Sequence, residues 1–203
     1  SRKSIHAMPS ILAGVPSFET AYTSSYYSRQ KLESIVSISN ALGYDTSFLH
    51  GAKNGSMGFQ GFANTLGYDN YYGRDEFNDD NEYDGFWGIW DEPFLQFSKS
   101  ILDNKNEPFL ATIFTITSHE PYIIPDKFKG MFDKGYLPIH KCVGYTDYSI
   151  KQFFKSIEKS NWFENTIFIF TSDHTNQSYF KYYQSTVNRF AAPLLIYKKK
   201  SGF

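Results

Sequence analysis

FLATIFTIT, residues 109–117, runs without a charge into Ser118 and His119. A continuous apolar and β-branched run of this kind marks a strand covered on both faces. TIFIFTS (166–172) has the same character and runs into Asp173 and His174. DTSFL (45–49) is a shorter strand that leads into His50 and Gly51, and APLLIY (192–197) is a further strand. Helical patterns lie between these runs. Residues 4–13 end at Gly14, a natural C-terminal stop. Residues 28–42 place Leu32, Ile35, Val36, Ser39 and Leu42 on one face and end at Gly43. Residues 56–66 suit a short helix. Residues 91–103 open with an acidic first turn that tolerates Pro93. Residues 143–159 form a long amphipathic helix with Tyr145, Tyr148, Ile150, Phe153, Phe154 and Ile157 as its apolar set. Strands alternating with helices predict an α/β fold with a mostly parallel sheet and right-handed crossovers. The long polar stretches 67–90 and 120–142 exceed ordinary connectors and read as site loops or surface excursions.

In an open α/β sheet, ligands bind beyond the carboxyl ends of the strands. Three of the predicted strands end in a histidine: His50, His119, and His174 beside Asp173. Parallel strands would bring these groups to one edge of the sheet. Asp173 and His174 suit a shared cation, although an Asp there can also cap a following helix. His50 and His119 suit ligation, acid–base work or donation to an anion, and each taken singly also suits a surface loop. His6, inside the first helix, reads as structural, and His140 has no assigned role. Ser4 starts the first helix. It reads either as an N-cap or as a nucleophile activated by the helix dipole and a nearby cation. The loop Gly51–Ser56, with Lys53, is able to wrap an anion but lacks the spacing of a Walker loop. Lys198, Lys199 and Lys200 read as a solvated end.

Composition limits the function classes. The 203 residues carry 20 Lys+Arg and 21 Asp+Glu, a net charge of -1, which argues against a nucleic-acid partner held by a broad basic face. The chain is 41% hydrophobic, enough for a packed core. No apolar run is long enough to span a bilayer, and no signal peptide is visible. The single cysteine, Cys142, excludes an internal disulfide framework and a Cys-only zinc site. Aromatic residues are abundant but spread along the whole chain, so their number alone marks no binding surface.

The ordered series RKSIHAMPSILAGVPS (2–17), FLHGAKNGSMGF (48–59), GIWDEPFLQF (88–97), TITSHEPY (115–122), HKCVGYTDYSIKQFF (140–154) and FIFTSDHTNQ (168–177) resembles one group of enzymes. This is the lipoteichoic acid synthase/phosphoglycerol transferase branch of the alkaline phosphatase–sulfatase superfamily. The resemblance covers nearly all of residues 1–203 as one partial catalytic domain. It implies an alkaline phosphatase-like three-layer α/β/α sandwich, incomplete at its first strand and its C-terminal end. It implies Ser4 at the nucleophile position, which also contributes to the metal site. Asp173 and His174 match the metal-binding Asp-His pair, and His119 and His50 match substrate-contacting histidines.

The family's metal-binding Glu and its N-terminal membrane helices are expected upstream of Ser4, in a longer membrane-anchored protein with an extracytoplasmic catalytic domain. The resemblance implies a divalent metal: Mn²⁺ is favoured by His174, with Zn²⁺, Mg²⁺ or Ca²⁺ as alternatives. Sulfatases that form formylglycine need Cys/Ser-x-Pro-x-Arg, and Ser4-Ile5-His6-Ala7-Met8 has neither the Pro nor the Arg. The expected reaction is therefore transfer or hydrolysis of a phosphate ester on an anionic small molecule or lipid headgroup. A sulfatase acting on sulfated glycans and a catalytically silent anion-binding domain are the alternatives. Without the upstream strand, residues 1–203 are expected to bind metal weakly and to self-associate.

Overall fold

The computed structural model describes residues 3–17 and 19–200. Helix α1 (Ser4–Ala13) closes on Gly14 at φ 67, whose N–H donates to Ser10 O, while Val15 N–H donates to Pro9 O. This left-handed cap needs no side chain, as the sequence predicts. Helix α2 spans Ile35–Ala41, shorter than the expected 28–42. Its start is set by a reciprocal cap: Ser37 N–H donates to Ser34 Oγ at 3.1 Å, and Ser34 N–H to Ser37 Oγ at 2.8 Å. The preceding residues 26–29 form a 3-10 turn instead. Val36 and Ser39 are buried as predicted, whereas Ile35 and Leu42 are exposed.

Strand β1 (Asp45–His50) is central. It pairs in parallel with β2 (Asn70–Tyr72) and with β3 (Phe109–Phe114), in the order β2-β1-β3. Alternation along β1 divides the core. Phe48 packs with Met8 and Leu12 of α1, Val36 of α2, and Phe59 and Phe62 of α3 (Phe59–Leu66). Leu49 faces the other way, against Ile89 and Phe94, the latter on α5 (Asp91–Leu102). Between β2 and α5 the chain makes the single-turn helix α4 (Arg74–Phe77). On α6 (His140–Ile157), Cys142, Tyr145, Ser149, Phe153 and Ile157 are buried at the three- and four-residue spacing of one helical face, and this helix packs on α5. Helices thus cover both faces of the sheet, the predicted three-layer arrangement.

The last strands differ from the expectation. β4 (Phe168–Thr171) pairs antiparallel with β5 (Leu194–Tyr197) as a separate two-stranded sheet. Side chains link it to the first sheet: Trp162 packs edge-on to Phe109 and also contacts Phe168. Among the described residues, β3 pairs with β1 alone and β4 with β5 alone. The two-sided burial predicted for these strands is therefore not realised. β3 is half-buried throughout, and Leu194, Leu195 and Ile196 of β5 are 57–67% exposed. β3 also stops at Phe114 rather than continuing to Thr117. The N–H groups of Ile116 and Thr117 bind a carboxylate instead of a neighbouring strand.

His50 closes β1 inside the first core layer. Its ring is fully buried edge-on to Phe59 and Phe114, and neither nitrogen has a hydrogen-bond partner. Burial, with His119 adding to it, pushes its pKa down from 6.5 to about 3. A neutral buried imidazole stabilises the fold above its unfolded pKa, and that contribution is lost as pH falls from about 6.5 toward 3. Between pH 7 and pH 4.5 it amounts to about 2–3 kcal/mol. The urea midpoint of the wild-type chain should fall over this range, and that of His50→Phe should fall markedly less.

Candidate active site

Ser4 is the first residue of α1, and the N-cap position belongs to Lys3, which supplies no side-chain cap. The N-cap alternative for Ser4 is thereby removed. Its hydroxyl is buried and lies 3.5 Å from His174 Nε2, across 170 residues of sequence. Asp173 and His174 follow β4 after Ser172. Asp173 Oδ1 accepts the His174 backbone N–H at 2.8 Å, and Oδ2 is 3.3 Å from His174 Nε2. His174 Nδ1 lies 2.9 Å from Thr175 O. A carbonyl can only accept, so Nδ1 carries a proton toward Thr175 O, while Nε2 faces both Ser4 Oγ and the Asp173 carboxylate. A carboxylate, an imidazole nitrogen and a serine oxygen thus converge. This set fits a divalent cation, although a complete shell has at least four ligands. Among the described residues, no group of three or more His, Cys, Asp and Glu side chains is placed to hold a metal.

His119 leaves the turn after β3, half-buried beside this group. Burial pushes its pKa below the ordinary value. Asp173 opposes this, His174 reinforces it, and Asp84 and Asp91 also oppose it. Ser4, Asp173, His174 and His119 thus lie near one another, although β4 is not part of the parallel sheet whose edge is expected to gather them and Ser4 comes from a helix start. His50 lies deeper, with no exposed surface. Lys53 is exposed, and Asn54 of the same loop binds the Glu76 carboxylate. His140 Nδ1 accepts the Tyr136 N–H at 3.1 Å, a structural use, and His6 is half-buried within α1.

Two supporting features escape the sequence reading. The first is Asp91, read there only as part of an acidic first turn. Its carboxylate is buried and accepts Ile116 N–H at 2.9 Å, Thr117 N–H at 3.0 Å and the Thr146 hydroxyl at 2.6 Å. It ties α5, the His119 turn and α6 to one point. The second is Trp87, whose ring stands perpendicular to that of His119 with centroids 4.6 Å apart. The acidic first turn marked Asp91, but its long-range donors could not be read from local pattern.

A family model described as Sulfatase matches residues 2–201. Lipoteichoic acid synthase 1 of Bacillus subtilis (strain 168) is 23% identical over 176 residues, covering 84% of this chain and 27% of its own length. The chain therefore spans about a quarter of that relative. An alkaline phosphatase superfamily protein from Vibrio parahaemolyticus has a TM-score of 0.84 at 24% identity, over 98% of this chain and 49% of that one. Phosphoglycerol transferase GacH of Streptococcus pyogenes, in complex with sn-glycerol-1-phosphate, has a TM-score of 0.64 at 15% identity, over 96% and 53%. The periplasmic domain of EcEptC from Escherichia coli, in complex with Zn, has a TM-score of 0.64 at 17% identity, over 98% and 59%. At these identities the solved structures show the fold, which is that of the alkaline phosphatase superfamily.

Asp91→Asn keeps the shape and can preserve all three hydrogen bonds if the Thr146 hydroxyl turns to accept. Asp91→Ala leaves two buried N–H groups unpaired, each loss costing about 1–3 kcal/mol. Urea unfolding should show a small loss for the Asn variant and a loss of several kcal/mol for the Ala variant.

Proposed function

Because this chain belongs to the sulfatase family, we propose that it forms the core of a metal-dependent transferase or hydrolase of phosphate esters, with Ser4 as nucleophile. The observation that supports this reading most is the approach of Ser4 Oγ to His174 Nε2 beside Asp173. Asp173, His174 and Ser4 would hold a divalent cation, Mn²⁺ or Zn²⁺ being best suited to the mixed donor set. Such an ion, when bound, lowers the pKa of a serine hydroxyl and offsets phosphate charge. Ser4 Oγ, its proton passing to solvent, would attack phosphorus; the P–O bond to the leaving group would break, that alkoxide taking a proton from water, and the phosphoryl group would stay on Oγ until water or a second alcohol takes it. His119, neutral near pH 7, donates an N–H to a non-bridging oxygen and orients the ester. His50, expected to contact substrate, is instead sealed against Phe59 and Phe114 with no exposed surface, so it is given no part in this reading.

Sequence relatives named lipoteichoic acid synthase and a fold neighbour bound to sn-glycerol-1-phosphate favour an anionic polyol phosphate or lipid headgroup as substrate. A fold neighbour described as a periplasmic domain favours a catalytic domain outside the cytoplasm, consistent with the expected membrane anchor. No helix among the described residues is long and apolar enough to cross a membrane. The sulfatase alternative rests on the family's name and is tested alongside. Full-length protein with Mn²⁺, offered a phosphodiester and an aryl sulfate in parallel, should cleave the phosphodiester. Ser4→Ala and Asp173→Ala should each reduce that turnover to background. Sulfate release dependent on Ser4, or near-normal turnover in either variant, would reject the reading.

Residues 1–203 alone should bind the metal weakly and self-associate. Ile169 and Ile196 face each other on the open side of the β4–β5 pair, 58% and 61% exposed. Apolar surface of this kind drives association. Sedimentation should show concentration-dependent oligomers that diminish in an Ile169→Lys, Ile196→Lys double variant.

A further inference from the structure

The segment Asp84–Gly88 is built more firmly than a surface loop needs to be. Asp84 Oδ1 accepts three backbone N–H groups, from Phe86 at 2.8 Å, Trp87 at 2.7 Å and Gly88 at 3.0 Å. Gly88 lies so close to Gly51 that a Cβ there would come within 2.3 Å of Gly51 O. Ile89 N–H donates to Gly51 O at 2.9 Å, which fastens the far end of the loop to the exit of β1. The Trp87 indole N–H donates to Glu120 O at 2.6 Å, fixing the ring angle. This rigidly held ring is nevertheless 41% exposed, and the adjoining Phe86 is 62% exposed.

A large aromatic held rigid at the mouth of an anion site is a pre-organised contact surface, because little side-chain entropy remains to be lost on binding. Its surroundings indicate the ligand. Asp84 and Glu120 both adjoin the ring: Asp84 Oδ1 accepts the Trp87 backbone N–H and the Glu120 carbonyl accepts its indole N–H, while the carboxylate of the exposed Glu120 accepts the Tyr122 hydroxyl at 3.3 Å. Carboxylates repel a second phosphate and suit no acyl chain, but they accept hydrogen bonds from hydroxyl groups. An aromatic face flanked by acceptors matches a carbon skeleton with C–H groups on one side and hydroxyls at its rim.

We infer that Trp87, with Asp84 and Glu120, forms a subsite for the polyol or sugar portion of the substrate, next to the phosphate held at His119. This rests on the phosphate-ester reading and adds to it a determinant of which alcohol is recognised.

Three probes separate the contributions: inorganic phosphate, sn-glycerol-1-phosphate and glucose 1-phosphate, titrated by calorimetry into the full-length protein with Mn²⁺. Wild type should bind an organic phosphate about three- to tenfold more tightly than inorganic phosphate. Trp87→Ala should abolish that preference without altering the affinity for inorganic phosphate, and Trp87→Phe should retain most of it. Tryptophan emission should shift on binding in wild type but not in Trp87→Phe, since Trp162 is buried and Trp90 half-buried. The glycerol and glucose arms show whether an open-chain polyol or a sugar ring is preferred. Equal weakening of all three probes in Trp87→Ala would overturn the inference, reducing Trp87 to a support for His119. An unchanged preference in Trp87→Ala would also overturn it. Failure of wild type to bind any of the three would reject the phosphate reading itself, and the subsite with it.

Discussion

The buried carboxylate of Asp91 is the constraint on which the site depends. A carboxylate out of water must be given hydrogen bonds. Here the donors come from Ile116, Thr117 and Thr146, which lie on different parts of the fold. Meeting that requirement stops β3, turns the chain toward His119 and locks α5 against α6. The Tyr145 hydroxyl adds to the same junction by accepting the Glu92 N–H at 3.3 Å. The requirement is electrostatic and local, yet its geometric result is the direction in which His119 leaves the sheet.

The other half of the site is assembled from the two ends of the chain. Ser4 is held by the start of α1 and His174 by the exit of β4. The Nδ1 proton directed at Thr175 O orients the ring, leaving Nε2 for Ser4 and Asp173. A second link runs through Tyr122, which takes the left-handed region at φ 56 and whose hydroxyl accepts from the Asn176 amide. Backbone in that region is costly for a tyrosine and persists when its surroundings over-determine it. The loop after His119 and the loop after His174 are thereby tied together.

Charge and aromatic character are divided across this surface. On the proposed reading, the Ser4, His119 and His174 side would give an anionic phosphorus centre an oxygen nucleophile, an N–H donor and an imidazole nitrogen. The Trp87 side offers a flat apolar face and carboxylate acceptors, the chemistry of an alcohol. An enzyme that moves a phosphoryl group between alcohols needs both, since the phosphate is common to its substrates and the alcohol distinguishes them.

The sequence by itself determined the layered α/β fold. Strand runs and helical periods are local signals, and β1, α1, α5 and α6 follow them to within a few residues. It also placed His119, Asp173 and His174 on strand exits, because strand ends are visible wherever an apolar run meets polar residues. Tertiary structure decided what could not be local. Periodicity does not reveal which backbone groups a side chain 25 residues away will satisfy, so Asp91 looked like an ordinary helix start. Nor does it reveal how deep a strand end lies: His50 closes its strand as His119 follows its own, but Phe59 and Phe114 bury it. The two-sided burial implied by the runs at 109–117, 166–172 and 192–197 is likewise a property of neighbouring strands, and β3 and β4 each pair on one side only among the described residues. Hydrophobic pattern reports what a segment can bury. Whether it is buried depends on what packs beside it.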